Sequence, residues 1–139
     1  MDDPYNLRRF IVAQEAVYTQ VCAELRRGRK SGHWMWFIFP QIRGLGYSET
    51  AQYFAIANIQ EAAAYAAHPV LGARLRECTG LVLQVDNKSV ERIFGYPDNL
   101  KFHSSMTLFA RTGEDNQAFL DALTKYFSGV LDPQTLARL

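Results

Sequence analysis

Residues 3–28, DPYNLRRFIVAQEAVYTQVCAELRRG, decide the fold. Leu7, Phe10, Ile11, Val17, Tyr18, Val21, Cys22 and Leu25 recur at the i, i+3, i+4, i+7 spacing of one helix face, while Arg8, Arg9, Glu15, Glu24 and Arg26 occupy the other faces. Asp3-Pro4 reads as an N-cap with proline at the first helical position. Gly28 reads as the stop, and the cations Arg26, Arg27, Arg29 and Lys30 gather where a helix C-terminus favours positive charge. The spacing predicts one long amphipathic helix or two nearly collinear ones.

The same punctuation continues along the chain. Ser48 or Thr50 opens a helix carrying Tyr53, Phe54 and Ile56, and Asn58 with Glu61 resembles a capping box for residues 59–67. His68-Pro69 breaks that helix and begins the next, which carries Leu71, Leu75, Cys78, Leu81 or Val82, and Val85. Gly72 and Gly80 weaken it and call for a packing reason. Ser89 caps a short turn that Gly95 stops. Pro97-Asp98 opens a helix expected to bury Leu100, Met106 and Phe109. Residues 119–127 form a further amphipathic helix closed by Gly129, and Asp132-Pro133 starts a last turn. Strand-type alternation is almost absent. The expectation is an all-α, single compact domain over residues 1–139 with seven or eight short to medium helices.

Composition fits this reading. A chain of 139 residues suits one domain, and 48% hydrophobic with 21% charged residues is ordinary for a globular protein. The formal net charge of +1 supplies no global field for nucleic acid or an anionic membrane. The longest apolar run, Trp34 to Pro40, is far short of the roughly 20 residues of a membrane span. The acidic start lacks the pattern of a secretory signal, so a cytoplasmic location is expected, with Cys22 and Cys78 as buried thiols.

Residues 31–41, SGHWMWFIFPQ, stand apart. Both tryptophans and two phenylalanines fall within six positions. Continuous apolarity makes this segment cross the core or wall a cavity, and Ser31 as N-cap with Pro40 as terminator favours a short buried helix. Polar His33, Gln41 and Arg43 flank it, as polar groups flank the apolar walls of small-molecule pockets. Gly44-Leu45-Gly46 matches neither phosphate-loop nor dinucleotide fingerprints; it reads as a turn, or as a loop presenting N–H groups to an anion. A second candidate is the 98–107 helix, where Lys101, Ser104 and Ser105 share a face and can hold a phosphate or carboxylate; the bland alternative is a solvated face. Histidines at 33, 68 and 103 lack metal-site spacing, so neither a metal nor another cofactor is expected. Ser104 and Ser105 lack a hydrolase elbow.

The motifs Lys30 through Gln41, Gly44-Leu45-Gly46, His68-Pro69, Ile93-Phe94-Gly95 and Lys101 through Phe109 resemble the bacterial family known as domain of unknown function 1810, from about Asp3 to the C-terminus. Gly32-His33 replaces the Ser-His common in that family, and Lys101-Phe102 its Lys-Leu. The resemblance implies a compact helical fold and no established activity. Two functional classes follow from the residues. In one, Trp34, Trp36, Gln41, Arg43, Lys101, Ser104 and Ser105 form a pocket for a small anionic ligand such as a nucleotide-like molecule, with His33 or His103 as proton carrier if hydrolysis or group transfer occurs. In the other, an exposed aromatic patch or the Arg26–Lys30 string binds protein or nucleic acid without catalysis.

Overall fold

The computed structural model describes residues 2–113 and 115–139. The first predicted helix divides at Val17, whose backbone (φ −129°, ψ −4°) leaves the helical region and separates α1 (Arg8–Glu15) from α2 (Tyr18–Arg27). Asp3 still caps α1: its carboxylate accepts the N–H groups of Leu7 (2.8 Å) and Arg8 (3.1 Å), although the helix begins at Arg8 and not at Pro4. Gly28 closes α2 in the left-handed region (φ 72°), with its N–H on the Glu24 and Leu25 carbonyls.

Eight further helices follow among the described residues: α3 (Met35–Ile38), α4 (Glu49–Tyr53), α5 (Ile59–Ala67), α6 (Leu71–Leu83), α7 (Val90–Phe94), α8 (Asp98–Ala110), α9 (Gln117–Phe127) and α10 (Pro133–Leu136). The total of ten exceeds the seven or eight expected, in part because the first predicted stretch forms two helices rather than one. The caps at Ser48, Asn58, Ser89 and Asp132 form as predicted, each side chain accepting the N–H three residues on. Glu61 does not complete the capping box. Its carboxylate instead accepts the Ala57 N–H (2.9 Å) and pairs with Arg9 (2.8 Å). Ser31 is not the cap of α3, which starts after Trp34; the Ser31 N–H is drawn away to the Glu24 carboxylate.

His68 takes on a capping role. Its Nδ1 accepts the N–H groups of Val70 (3.1 Å) and Leu71 (3.2 Å) at the entrance to α6. His68→Ala is therefore expected to cost about 1 kcal/mol, the usual worth of an N-cap. His68→Asn, which restores a short acceptor, should recover much of it in urea denaturation. A loss below about 0.3 kcal/mol would show that solvent caps α6 equally well.

α6 packs against α2, α5 and α9, and α8 packs against α5, α7, α9 and α10. A single cluster of buried residues runs from Leu7 to Leu123. At its centre Phe102 meets Phe39 edge-on at 5.0 Å and stacks on Phe94 at 4.8 Å. Gly72 has the packing reason expected of it, since a Cβ there would stand 2.1 Å from the Ala66 carbonyl oxygen. Gly80 has open space around it and no such reason. Leu100 was expected inside but is 53% exposed, because α8 turns its Phe102, Met106 and Phe109 face to the core. Both cysteines are free and buried. Burial pushes the Cys78 thiol up, and the neighbouring Cys22 adds to the shift, so it stays protonated and unreactive.

Candidate functional site

The polar face of α8 is the spine of the site. Lys101 and Ser104 lie one turn apart on it, and the two segments singled out in the sequence meet there: Gln41 Nε2 donates to Ser104 Oγ at 2.8 Å. The backbone on either side of Gln41 explains how it gets there. Ile42 and Ile56 form an isolated parallel bridge, with the Ile56 N–H on the Gln41 carbonyl (2.9 Å) and the Arg43 N–H on the Ile56 carbonyl (2.8 Å). This bridge fixes the chain after α3 so that the Gln41 side chain faces α8. The following loop folds tightly, since a Cβ on Gly46 would come within 2.6 Å of the Ala51 Cβ.

On the other flank α8 holds the segment after α9. His103 Nε2 lies 2.7 Å from the Val130 carbonyl, which can only accept, so that nitrogen carries the proton. The imidazole stacks on Phe127 with centroids 4.0 Å apart and planes 7° from parallel. One turn on, Thr107 Oγ1 accepts the Asp132 N–H at 2.9 Å while donating to the His103 carbonyl. Between the two anchored segments lies a cleft of about 360 Å³ lined by Gln41, Gly46, Lys101, His103, Ser104 and Asp132, among others.

Charge in this region is shared. The Asp98 carboxylate bridges Lys30 (2.8 Å) and Lys101 (3.3 Å), and each ammonium lies over a tryptophan, Lys30 over Trp34 at 5.0 Å and Lys101 over Trp36 at 4.9 Å. Trp34 is only 1% exposed and donates its indole N–H to Glu24 (3.0 Å). It does not line the cleft. Trp36 is half-buried and floors a small hollow beside Gln41 and Gly46.

The remaining candidates are placed elsewhere. His33 is exposed and lines none of the cavities found. Arg43 is exposed at a separate hollow of about 340 Å³ with Tyr47 and Gln52, reached across Gly46. Ser105 is fully buried and its hydroxyl has no partner among the described residues, so the Lys101–Ser104–Ser105 face is not a solvated one. In the basic string Arg26, Arg27 and Arg29 are exposed, whereas the Lys30 side chain is 8% exposed and committed to Asp98. Asp132 and Gln134 belong to the cleft but were not candidates. Asp132 shows in the sequence only as a helix cap, and nothing local marks it as a neighbour of Lys101.

A larger cavity of about 560 Å³ opens between α5, α6 and the residues Thr112, Gly113 and Asp115. Alanines 63, 66, 67 and 73 form much of its lining, and its one cation, Arg76, already donates to the Ala66 carbonyl (2.8 Å) and pairs with Asp115 (3.1 Å). Convergent polar groups, not volume, mark a ligand site, which favours the smaller cleft.

The model of the family described as "Protein of unknown function (DUF1810)" matches residues 4–139, so the chain belongs to that family. It is also similar to a solved structure, that of the conserved hypothetical protein Rv1873 from Mycobacterium tuberculosis, determined at 1.38 Å. The two share 56% sequence identity, the alignment covers 99% of this chain and 98% of the other, and the TM-score is 0.97. No curated protein matches.

Proposed function

We propose that this member of the DUF1810 family binds a small ligand carrying an anionic group in the cleft between Gln41 and Asp132. The observation that carries the reading is the Gln41–Ser104 hydrogen bond, which joins two separately recognised polar segments at the wall of one cavity. Lys101 supplies the cation. Gln41, Gln134 and Ser104 supply hydrogen-bonding groups that orient a ligand, and a cleft of about 360 Å³ is within the size range of small-molecule sites.

Binding is better supported than catalysis. The Ser104 hydroxyl accepts from the Gln41 amide and lies 3.4 Å from the Lys101 carbonyl, with no basic side chain in hydrogen-bond reach among the described residues. The one imidazole at the cleft, His103, has Nε2 committed to Val130. A nucleophile needs a partnered base, and this pair does not supply one.

A thermal-shift screen of nucleotides, carboxylates and phosphorylated metabolites tests the proposal. Hits should weaken by roughly fivefold or more in Lys101→Met, the loss expected from removing a partly buried cation from an anion. They should survive His33→Ala, since His33 lies outside the cleft. Hits unaffected by Lys101→Met would move the site elsewhere.

A further inference from the structure

The cleft lining carries charge of both signs, and this bears on what kind of ligand it takes. Two ammonium groups, Lys30 and Lys101, share the single carboxylate of Asp98, which leaves one formal positive charge. Lys30 is turned inward, its side chain 8% exposed, so the charge is offered through Lys101, whose side chain is 23% exposed. Asp132, in the same lining, carries one formal negative charge. Its Oδ2 accepts both the N–H (3.2 Å) and the hydroxyl (2.6 Å) of Thr135, while Oδ1 takes no hydrogen bond among the described residues. Both charges are set from α8: Lys101 projects from it directly, and the Asp132 backbone is fixed to it through Thr107.

Resting on the reading of this cleft as a ligand site, we infer that its ligand is a zwitterion, with a carboxylate-type anion at Lys101 and an ammonium at Asp132. A dianion such as a phosphate monoester would bring two negative charges to a lining that offers one unshared positive charge at Lys101 and a negative one at Asp132, leaving the cleft with an excess of negative charge. A plain monoanion leaves the Asp132 oxygen without a charged partner. A molecule with one charge of each sign meets both groups and keeps the cleft neutral. The amides of Gln41 and Gln134, in the same lining, can serve its uncharged polar atoms.

The experiment uses a ligand series that also measures the span between the charges. The ω-amino acids from glycine to 6-aminohexanoate are titrated against ¹⁵N-labelled protein, with acetate and the matching n-alkylamines as single-charge controls. Asp132→Asn is the informative variant, because asparagine caps α10 as well as aspartate does while carrying no charge. At least one chain length should bind roughly fivefold or more tightly than acetate and its amine, with shifts centred on Lys101, Ser104 and Asp132. Asp132→Asn should abolish that advantage and leave acetate binding intact or stronger, and Lys101→Met should weaken both acids. If acetate binds through Lys101 but no amino acid exceeds it, or the advantage survives Asp132→Asn, the zwitterion is wrong and the anion site stands. If no probe produces Lys101-dependent shifts, both readings fall.

Discussion

Arg9→Ala is expected to destabilise the protein by about 3–5 kcal/mol, the range for stripping one partner from a buried ion pair. Arg9 lies among residues that the helical pattern assigns to polar faces, yet its side chain is 7% exposed. Its guanidinium donates to five acceptors: the carbonyls of Tyr53 (2.8 Å), Tyr5 (2.7 Å), Asn6 (2.7 Å) and Ala55 (2.9 Å), and the Glu61 carboxylate (2.8 Å). It thereby ties the start of α1 to the segment between α4 and α5, the same segment whose Ile56 bridges Ile42 and aims Gln41 at the cleft. Alanine would leave a carboxylate that is 4% exposed with only the Ala57 N–H beside it. For a domain of this size the loss corresponds to a fall in Tm of roughly 10–15 °C. Arg9→Lys should recover little, since a single ammonium cannot match a five-donor fork. Calorimetry of both variants checks this, and a loss under about 1 kcal/mol in Arg9→Ala would mean that water satisfies the abandoned acceptors.

The parts of this fold that were legible in the sequence are those whose causes are local. Ser48, Asn58, Ser89 and Asp132 each satisfy an N–H three residues away, so their residue types announce helix starts without tertiary knowledge. The apolar period likewise places Phe10, Val21, Leu25, Leu75 and Phe119 in the core, where they are fully or almost fully buried. What periodicity cannot register is a polar residue buried with partners distant in the chain. Arg9, Glu24 and Glu61 look like surface residues because a pattern of polarity carries no information about who neutralises them. The cleft has the same character: residues 41 and 104 could be marked as polar neighbours of apolar runs, but their bond spans 63 positions. His33 shows the converse case. Adjacency to Trp34 suggested a shared site, whereas the backbone sends the indole inward and leaves the imidazole outside.

Glu24 carries the second large effect, and it is pH-dependent. The residue is 1% exposed, and burial by itself would raise its carboxyl. The donors gathered on it outweigh burial: the N–H groups of Gly32 (2.9 Å) and Ser31 (2.7 Å), the Gln20 amide (2.7 Å) and the Trp34 indole (3.0 Å) hold it down to about 2 from an ordinary 4.5. A carboxyl depressed in the folded state stabilises above its unfolded value. The contribution is fully present above about pH 4.5, declines as pH falls, and is gone near pH 2. By linkage it amounts to about 3 kcal/mol. Glu24→Gln should therefore flatten this part of the stability profile while costing on the order of 2–3 kcal/mol at neutral pH, and Glu24→Ala, which removes the acceptor of all four donors, should cost more. Urea denaturation from pH 7 down to 2.5 reads both. Parallel profiles for wild type and Glu24→Gln below pH 5 would remove Glu24 as the cause. The effect should also reach the cleft, because the loop Glu24 anchors carries Lys30, and Lys30 shares Asp98 with Lys101. Loosening that loop changes how Asp98 divides itself between the two lysines, so Glu24→Gln should alter the anion binding proposed at Lys101 under conditions where the protein remains folded.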